Sequence, residues 1–402
     1  MEQVLNNYVI RILTSADEVN ATEWNELLNI QMDATPFMRH EYLAALQKSG
    51  SATPETGWTA RYLMLEHDDV LVGACVLYLK DHSYGEYVFD HAWANAYHQH
   101  GLAYYPKGVV AVPFTPVPGT RLLARTAQDR AVLAQALIEW CAQEKLSSLH
   151  LLFSSAADIE ACTAARMLLR HTVQFHWTNT HPGYADFDAF LASLAQEKRK
   201  KIRQERRKVS DAGVTFRHAQ GIDITGGDWD FFYRCYERTY LEHGNAPYLS
   251  RDFFQRMADT MPENWLLFTA ERTGTPIATS LIAINPFNTP SRDPKDLNNP
   301  RGVAYGRYWG ALDRVDCLHF EACYYQPLQW CIEHGYQRFE GGAQGEHKMA
   351  RALLPVKTTS AHWLANPSFA DAVDRYLERE GQGIAQYMDE LQDRSPLKAR
   401  VA

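Results

Sequence analysis

The stretch YQRFEGGAQGEHKMARALLPVKTTSAHWLAN spans residues 336–366. It reads as a strand (336–342), a turn punctuated by glycines, a short helix (EHKMARALL) and a second strand (358–366) that carries His362-Trp363. A helical stretch, HFEACYYQPLQWCIEHG (319–335), precedes it, and Pro327 is expected to kink that helix. The first half of the chain runs through the same succession. AVLAQALIEWCAQEK (131–145) has helical periodicity and SSLHLLFS (147–154) is a buried strand. ADIEACTAARMLLR (157–170) reads as a helix, and TVQFHWTN (172–179) as a strand carrying His176-Trp177. Tyr84-Gly85-Glu86-Tyr87 also echoes Tyr305-Gly306-Arg307-Tyr308. The recurrence implies two copies of one α/β unit.

Outward from these series, YVIRILTS (8–15) alternates like a strand and 39–49 reads as a helix. Strands at 58–66 and 69–80 are joined by a turn at Asp68-Asp69. In the second half, 214–220 is a strand and 229–244 a helix, followed by a helix over 250–261 with Ser250 as its N-cap. A hairpin turns at Gly274-Thr275, and 301–311 is a strand. The boundary falls near 181–190, giving units 8–182 and 183–385 and a C-terminal tail, 386–402. The Pro-, Asn- and Asp-rich stretch 287–302 reads as a surface insertion.

The 402 residues are 46% apolar and 22% charged, the balance of a globular protein with full cores. A net charge of -8 demands no nucleic-acid partner globally, so the basic run KRKKIRQERRK (198–208) stands out. Seven scattered cysteines without CxxC spacing point to a reducing compartment. Neither a signal peptide nor an apolar run of membrane-spanning length is read, so a cytoplasmic location is expected, with peripheral membrane contact left open.

The order strand, helix, helix, three strands, helix, strand, helix, strand is that of the GNAT acyltransferase fold. Two such units in tandem mark the Fem peptidyltransferase superfamily. PFMRHEYLAAL (36–46), SYGEYVFDHAWANAYHQHGLAYYPK (83–107), EKRKKIRQERRKV (197–209), YGRYWG (305–310) and GGAQGEHKMARALLPV (341–356) together resemble the FemAB-like family of predicted bacterial N-acyltransferases. The resemblance implies an α/β (α+β) fold of two tandem GNAT-like units, each a mixed twisted sheet flanked by helices. It implies an enzyme that moves an acyl or aminoacyl group onto an amine of a small molecule, a peptide or a cell-wall (peptidoglycan) precursor. No cofactor is expected to be bound permanently. The donor is aminoacyl-tRNA or acyl-CoA. The segment ALDRVDCLHF (311–320) lacks the glycines with which acyl-CoA-binding GNAT domains hold pyrophosphate, which favours aminoacyl-tRNA. The alternatives are an acyl-CoA-dependent N-acyltransferase and a non-catalytic binder of cell-wall or lipid precursors.

GGAQGEHK (341–348) is not a P-loop, because its glycines are too close and no Ser or Thr follows Lys348. It fits a strand-to-helix turn whose free amides face an anion or a polarised carbonyl. Glu340 and His347 are the expected proton-handling groups, with Glu86 contributed by the first unit. Tyr84, Asp90, Tyr97, His98, Lys107, Arg307, Tyr308, Gln344, Glu346 and Lys348 are the expected substrate-binding residues. Lys198, Arg199, Lys201 and Arg203 are the expected contacts for a polyanion, tRNA included, against the plainer reading of a solvated helix face. His98 and His100 have strand spacing and no third partner, so no metal site is expected. Cys317, His319 and Cys323 spread over different helix faces, which reads as packing rather than a thiol nucleophile.

Overall fold

A computed structural model describes residues 7–179, 183–285, 302–342 and 345–398. Gln344 and the 287–302 stretch, Gly302 excepted, lie outside the described residues. The chain divides into unit 1, residues 1–172 with 357–386, and unit 2, residues 173–356 with 387–402.

Unit 1 begins with β1 (Tyr8–Leu13), α1 (Ala21–Asn29) and α2 (His40–Lys48). The hairpin of β2 (Thr59–His67) and β3 (Val70–Lys80) turns at Asp68 and Asp69, whose φ angles of 51° and 62° match the twist of the flanking strands. Next come α3 (His91–Gln99), β4 (Lys107–Val110), β5 (Leu123–Ala124), α4 (Ala127–Gln143), β6 (Ser148–Leu151), α5 (Ala156–Ala164) and the first part of β7 (Leu168–Thr178). Strands β1, β2, β3 and β4 pair antiparallel in that order, and β4 runs parallel to β6. Leu63, Leu77, Leu149 and Leu151 pack against Leu133, Leu137 and Cys141 of α4 to form the core.

Unit 2 holds α6 (Phe187–Ser193), α7 (Gln196–Asp211), β8 (Val214–Gln220), α8 (Gly226–Glu242) and α9 (Arg251–Thr260). Ser250 caps α9 by accepting from the Phe253 amide at 3.2 Å. Then follow β9 (Trp265–Arg272), β10 (Thr275–Asn285), β11 (Val303–Ala311), α10 (Leu318–Phe320), a π turn (Glu321–Tyr325), α11 (Gln326–Glu333), β12 (Arg338–Glu340) and a 3-10 turn (Glu346–Arg351). β8 to β11 pair antiparallel, and β11 runs parallel to β12. α8 lies so close to β11 that a Cβ on Gly310 would run into the Cys235 carbonyl.

The final strand, β13 (Leu354–Leu364), and the final helix, α12 (Pro367–Asp393), return to the sequence repeat. Residues 357–364 belong to unit 1, where Ala361–Leu364 pair antiparallel with β6 and His362 faces His150. Residues 173–178 of β7 belong to unit 2, where they pair antiparallel with β12 and His176 faces Glu340. Each copy's last strand thus completes the other copy's unit. This division differs from the expected 8–182 and 183–385, since local periodicity identifies a strand but not its neighbour.

Four local expectations also change or are refined. The helix expected over 157–170 ends at Ala164, and Leu168–Arg170 already belong to β7. His98 and His100 do not lie on a strand, because α3 covers His91–Gln99. The helical run around Pro327 is unbroken from Leu318 to Glu333 but passes through a π turn (Glu321–Tyr325), directly after which Pro327 sits in the first turn of α11. Residues 386–393 continue α12 rather than starting a tail.

Candidate active site

In unit 2 the register pairs Val303 with Arg338, Ala304 with Phe339 and Tyr305 with Glu340. There β12 ends, while β11 continues to Ala311. The two parallel strands therefore part just beyond Tyr305 and Glu340. On its other edge β11 carries a bulge, the register passing from Tyr308 opposite Leu281 to Gly306 opposite Ile282 across Arg307.

Glu340 sits where the strands part and is 3% exposed. One carboxylate oxygen lies 2.9 Å from Arg338 Nε. The other, Oε2, has no hydrogen-bond partner among the described residues and lies 3.9 Å from His176 Nε2. Burial lowers the pKa of His176, which keeps the imidazole neutral beside the carboxylate. Lys348, 4% exposed, donates to the Gly342 carbonyl at 2.9 Å. Burial pushes its ammonium down to about 8, within reach of neutral pH. Gly345 takes φ 113°, a conformation open mainly to glycine, and it starts the turn that carries Glu346, His347 and Lys348.

His347 is exposed, and its Nε2 lies 3.3 Å from the Tyr324 hydroxyl. Burial, with Arg351 and Lys348 nearby, lowers its pKa. His319 stacks edge-on between Trp309 and Tyr324, with centroids 5.4 and 5.7 Å away. Burial drives His319 down to about 4, so it is neutral. Cys323 is pushed up to about 12 by burial, so its thiol stays protonated. The turn is braced from behind. Arg351 donates to the His347 carbonyl at 2.7 Å, lies 3.7 Å from the Phe320 ring centroid and forms a two-oxygen ion pair with the buried Glu205 of α7.

Unit 1 holds a second polar cluster. Lys107, fully buried, donates to Ser83 Oγ at 2.9 Å and Glu86 Oε2 at 2.8 Å, and makes a short contact to Asp90 Oδ2. Tyr104 donates to Asp90 at 2.6 Å, and its hydroxyl lies 3.2 Å from His150 Nε2. The His150 and His362 Nδ1 atoms are 2.7 Å apart, so one ring donates to the other. Burial lowers both imidazoles, His150 to about 3, so both are neutral. Lys80, directly opposite Lys107 in the register, lies over the Trp58 ring, and burial lowers it to about 7.

Among the expected site residues, unit 2 places Glu340 at the end of β12 and His347 and Lys348 in the 3-10 turn that follows. Glu346 points elsewhere, accepting from Tyr387 at 2.7 Å. Arg307 and Tyr308 stand at the bulge. Unit 1 brings together Glu86, Asp90 and Lys107. Tyr97 is buried against Tyr104 and Phe369, His98 is exposed on α3, and Tyr84, 68% exposed, meets the cluster only through its backbone carbonyl, which accepts from Lys80 at 3.3 Å.

The basic helix α7 buries Ile202, Glu205 and Val209 along one face. Lys198 pairs with Glu197 at 2.8 Å and Arg203 approaches Asp188 at 3.5 Å, while Arg199 and Lys201 have no ion pair among the described residues. An 840 Å³ groove beside it is lined by Arg203, Arg206 and Arg207, but also by Asp186, Asp188, Glu321 and Glu333. That side is charge-compensated, so any polyanion contact belongs to the outer face. Sequence reading missed His176, Tyr324, Arg351 and Glu205. The repeated His-Trp pair is the available signal for His176, and by itself it marks only duplication.

The FemAB-like family, described as peptidoglycan biosynthesis/recognition, matches residues 15–399. No match is found among curated proteins. A crystal structure of FemX superposes with a TM-score of 0.52 at 10% identity, covering 90% of this chain and 100% of that chain. L-PGS from Bacillus licheniformis gives 0.48 at 11% identity, covering 87% and 98%. A tandem GNAT protein from the clavulanic acid biosynthesis pathway gives 0.41 at 11%, covering 89% and 99%. No helix among the described residues is long and apolar enough to cross a membrane. The family match runs over nearly the whole sequence and FemX shares the fold, so the chain belongs to the FemAB-like family of peptidoglycan biosynthesis/recognition.

Proposed function

We propose that unit 2 carries out the transfer, with Glu340 as the base and aminoacyl-tRNA as the donor. The acceptor is an amine on a small molecule, a peptide or a cell-wall precursor. The observation that carries this reading is the free Oε2 of Glu340, buried where β11 and β12 part. The acceptor ammonium gives a proton to Glu340, directly or through a water. Its nitrogen attacks the donor's ester carbonyl, a C–N bond forms as the ester C–O bond breaks, and the second proton that the nitrogen loses passes to the leaving ribose oxygen. Backbone amides along the outer half of β11 stabilise the oxyanion. Lys348 holds the donor end, and neutral His347 or the Tyr324 hydroxyl relays the second proton from the nitrogen to the leaving oxygen.

The segment between β11 and α10 supports aminoacyl-tRNA over acyl-CoA. It carries Asp313 and Asp316, engaged by Arg272 and Lys208, at the helix start where a pyrophosphate would have to sit. Carboxylates there repel a pyrophosphate. Glu86 is sealed in unit 1 against Lys107, so the reading leaves it no part in proton transfer.

The test is mass spectrometry of copurifying molecules after incubation with charged tRNA or with acyl-CoA. Once an acceptor is identified, Glu340→Gln should lower turnover by about 10²–10⁴ with donor affinity kept. Lys348→Ala should weaken donor binding first. Wild-type turnover in both variants overturns the assignment.

A further inference from the structure

Where β11 bulges, a cavity of about 350 Å³ opens on the α8 side. Tyr236, Tyr240, Tyr308 and Trp309 form its walls, with Thr239 and Asn245 beside them and Arg307 contributing the one cation that is always charged. Rings of Tyr236 and Tyr240 are 4.8 Å apart, and those of Tyr236 and Tyr308 are 5.4 Å apart. No carboxylate is among the lining residues. Tyr308 is 7% exposed, yet its hydroxyl has no hydrogen-bond partner among the described residues. A buried hydroxyl without a partner is costly, and a ligand oxygen would satisfy it. Trp309 links the cavity to the reaction centre through its 5.4 Å ring contact with His319, which in turn meets Tyr324.

The geometry points to a specificity pocket for the apolar side chain of the transferred acyl or aminoacyl group, with the Tyr308 hydroxyl donating to an oxygen of that group. This rests on the transfer chemistry proposed above. The volume is at the low end of small-ligand sites and suits one side chain rather than a nucleotide. Aromatic walls favour an apolar or aromatic group, and the Arg307 guanidinium in the same lining disfavours a cationic one.

Saturation-transfer NMR on the full chain tests this with N-acetyl amides of phenylalanine, leucine, lysine and glycine, and with adenosine. The phenylalanine and leucine amides should bind in the millimolar range expected for ligands of this size. The glycine and lysine amides should show no comparable transfer. Tyr308→Phe should weaken binding by about 5-fold. Asn245→Trp, on the exposed turn after α8, should fill the mouth and abolish binding with an unchanged melting temperature. A preference for the lysine amide or for adenosine, or undiminished binding in Asn245→Trp, overturns the pocket assignment. Glu340 is not part of the lining, so Glu340→Gln should bind the probes normally. Lost turnover in that variant, with no probe binding in either protein, would overturn the pocket and leave the transfer reading standing.

Discussion

Lys107 has two carboxylates within reach and one positive charge to share. Asp90 takes the closer contact and is held well below the usual carboxylate range, although burial works against it. Glu86 is left as the weaker acid, and burial pushes it up to about 7 despite Lys107. A carboxyl whose folded pKa is raised binds its proton more tightly in the folded state. Its contribution to stability is complete below pH 4.5, the unfolded value, and is lost as pH rises through about 7. Lys80, Asp90, Lys107 and Tyr104 all act on this site, and of its two carboxylates only Glu86 is raised into that window. Glu86→Gln should therefore remove a loss of up to about 3 kcal/mol that the native protein suffers between these pH values. Urea unfolding of both proteins across the window checks it. Parallel stability curves would mean that Lys107 keeps Glu86 ionised throughout.

Helix α7 divides its charges between two tasks. Arg206 pairs with Glu321 at 3.1 Å, donates to Gln329 and lies 4.6 Å from the Phe187 ring centroid. Glu205, on the buried face, fixes Arg351 and through it the turn bearing His347. Lys200 and Lys201 are exposed and line no part of the groove beside the helix. Reversing both to glutamate should weaken charged-tRNA binding and flatten its salt dependence, because released counterions drive such binding. Stability should change by no more than about 0.5 kcal/mol. Arg206→Glu should do the opposite, placing a second carboxyl group beside Glu321 and lowering the melting temperature. Filter binding over a salt series, with thermal unfolding of each variant, separates the two. Equal tRNA binding by the exposed-face variant would make that face merely solvated.

Across the whole molecule, what could be read from the sequence was what neighbours in sequence determine. The Asp68-Asp69 turn, the Ser250 cap and the glycine turn after Glu340 declare themselves locally, and the structure keeps all three. The Glu86, Asp90 and Lys107 group was legible in one dense segment, but His150 and His362 join it from strands 212 positions apart. α12 escaped notice because Gly381 and Gly383 interrupt a polar stretch that otherwise has helical periodicity. The exchange of last strands lay furthest from view, since both strands look alike and only pairing tells them apart. That exchange sets a timetable for synthesis. When residue 182 leaves the ribosome, β6 still lacks the partner that residues 357–364 supply. Its open edge must wait for nearly half the chain, exposed to other nascent strands. A fragment of residues 1–182 should therefore aggregate or stay partly unfolded when expressed alone. Adding residues 357–386 in trans should restore a cooperative melting transition, and a fragment that melts cooperatively without them would show that unit 1 matures before the chain is complete.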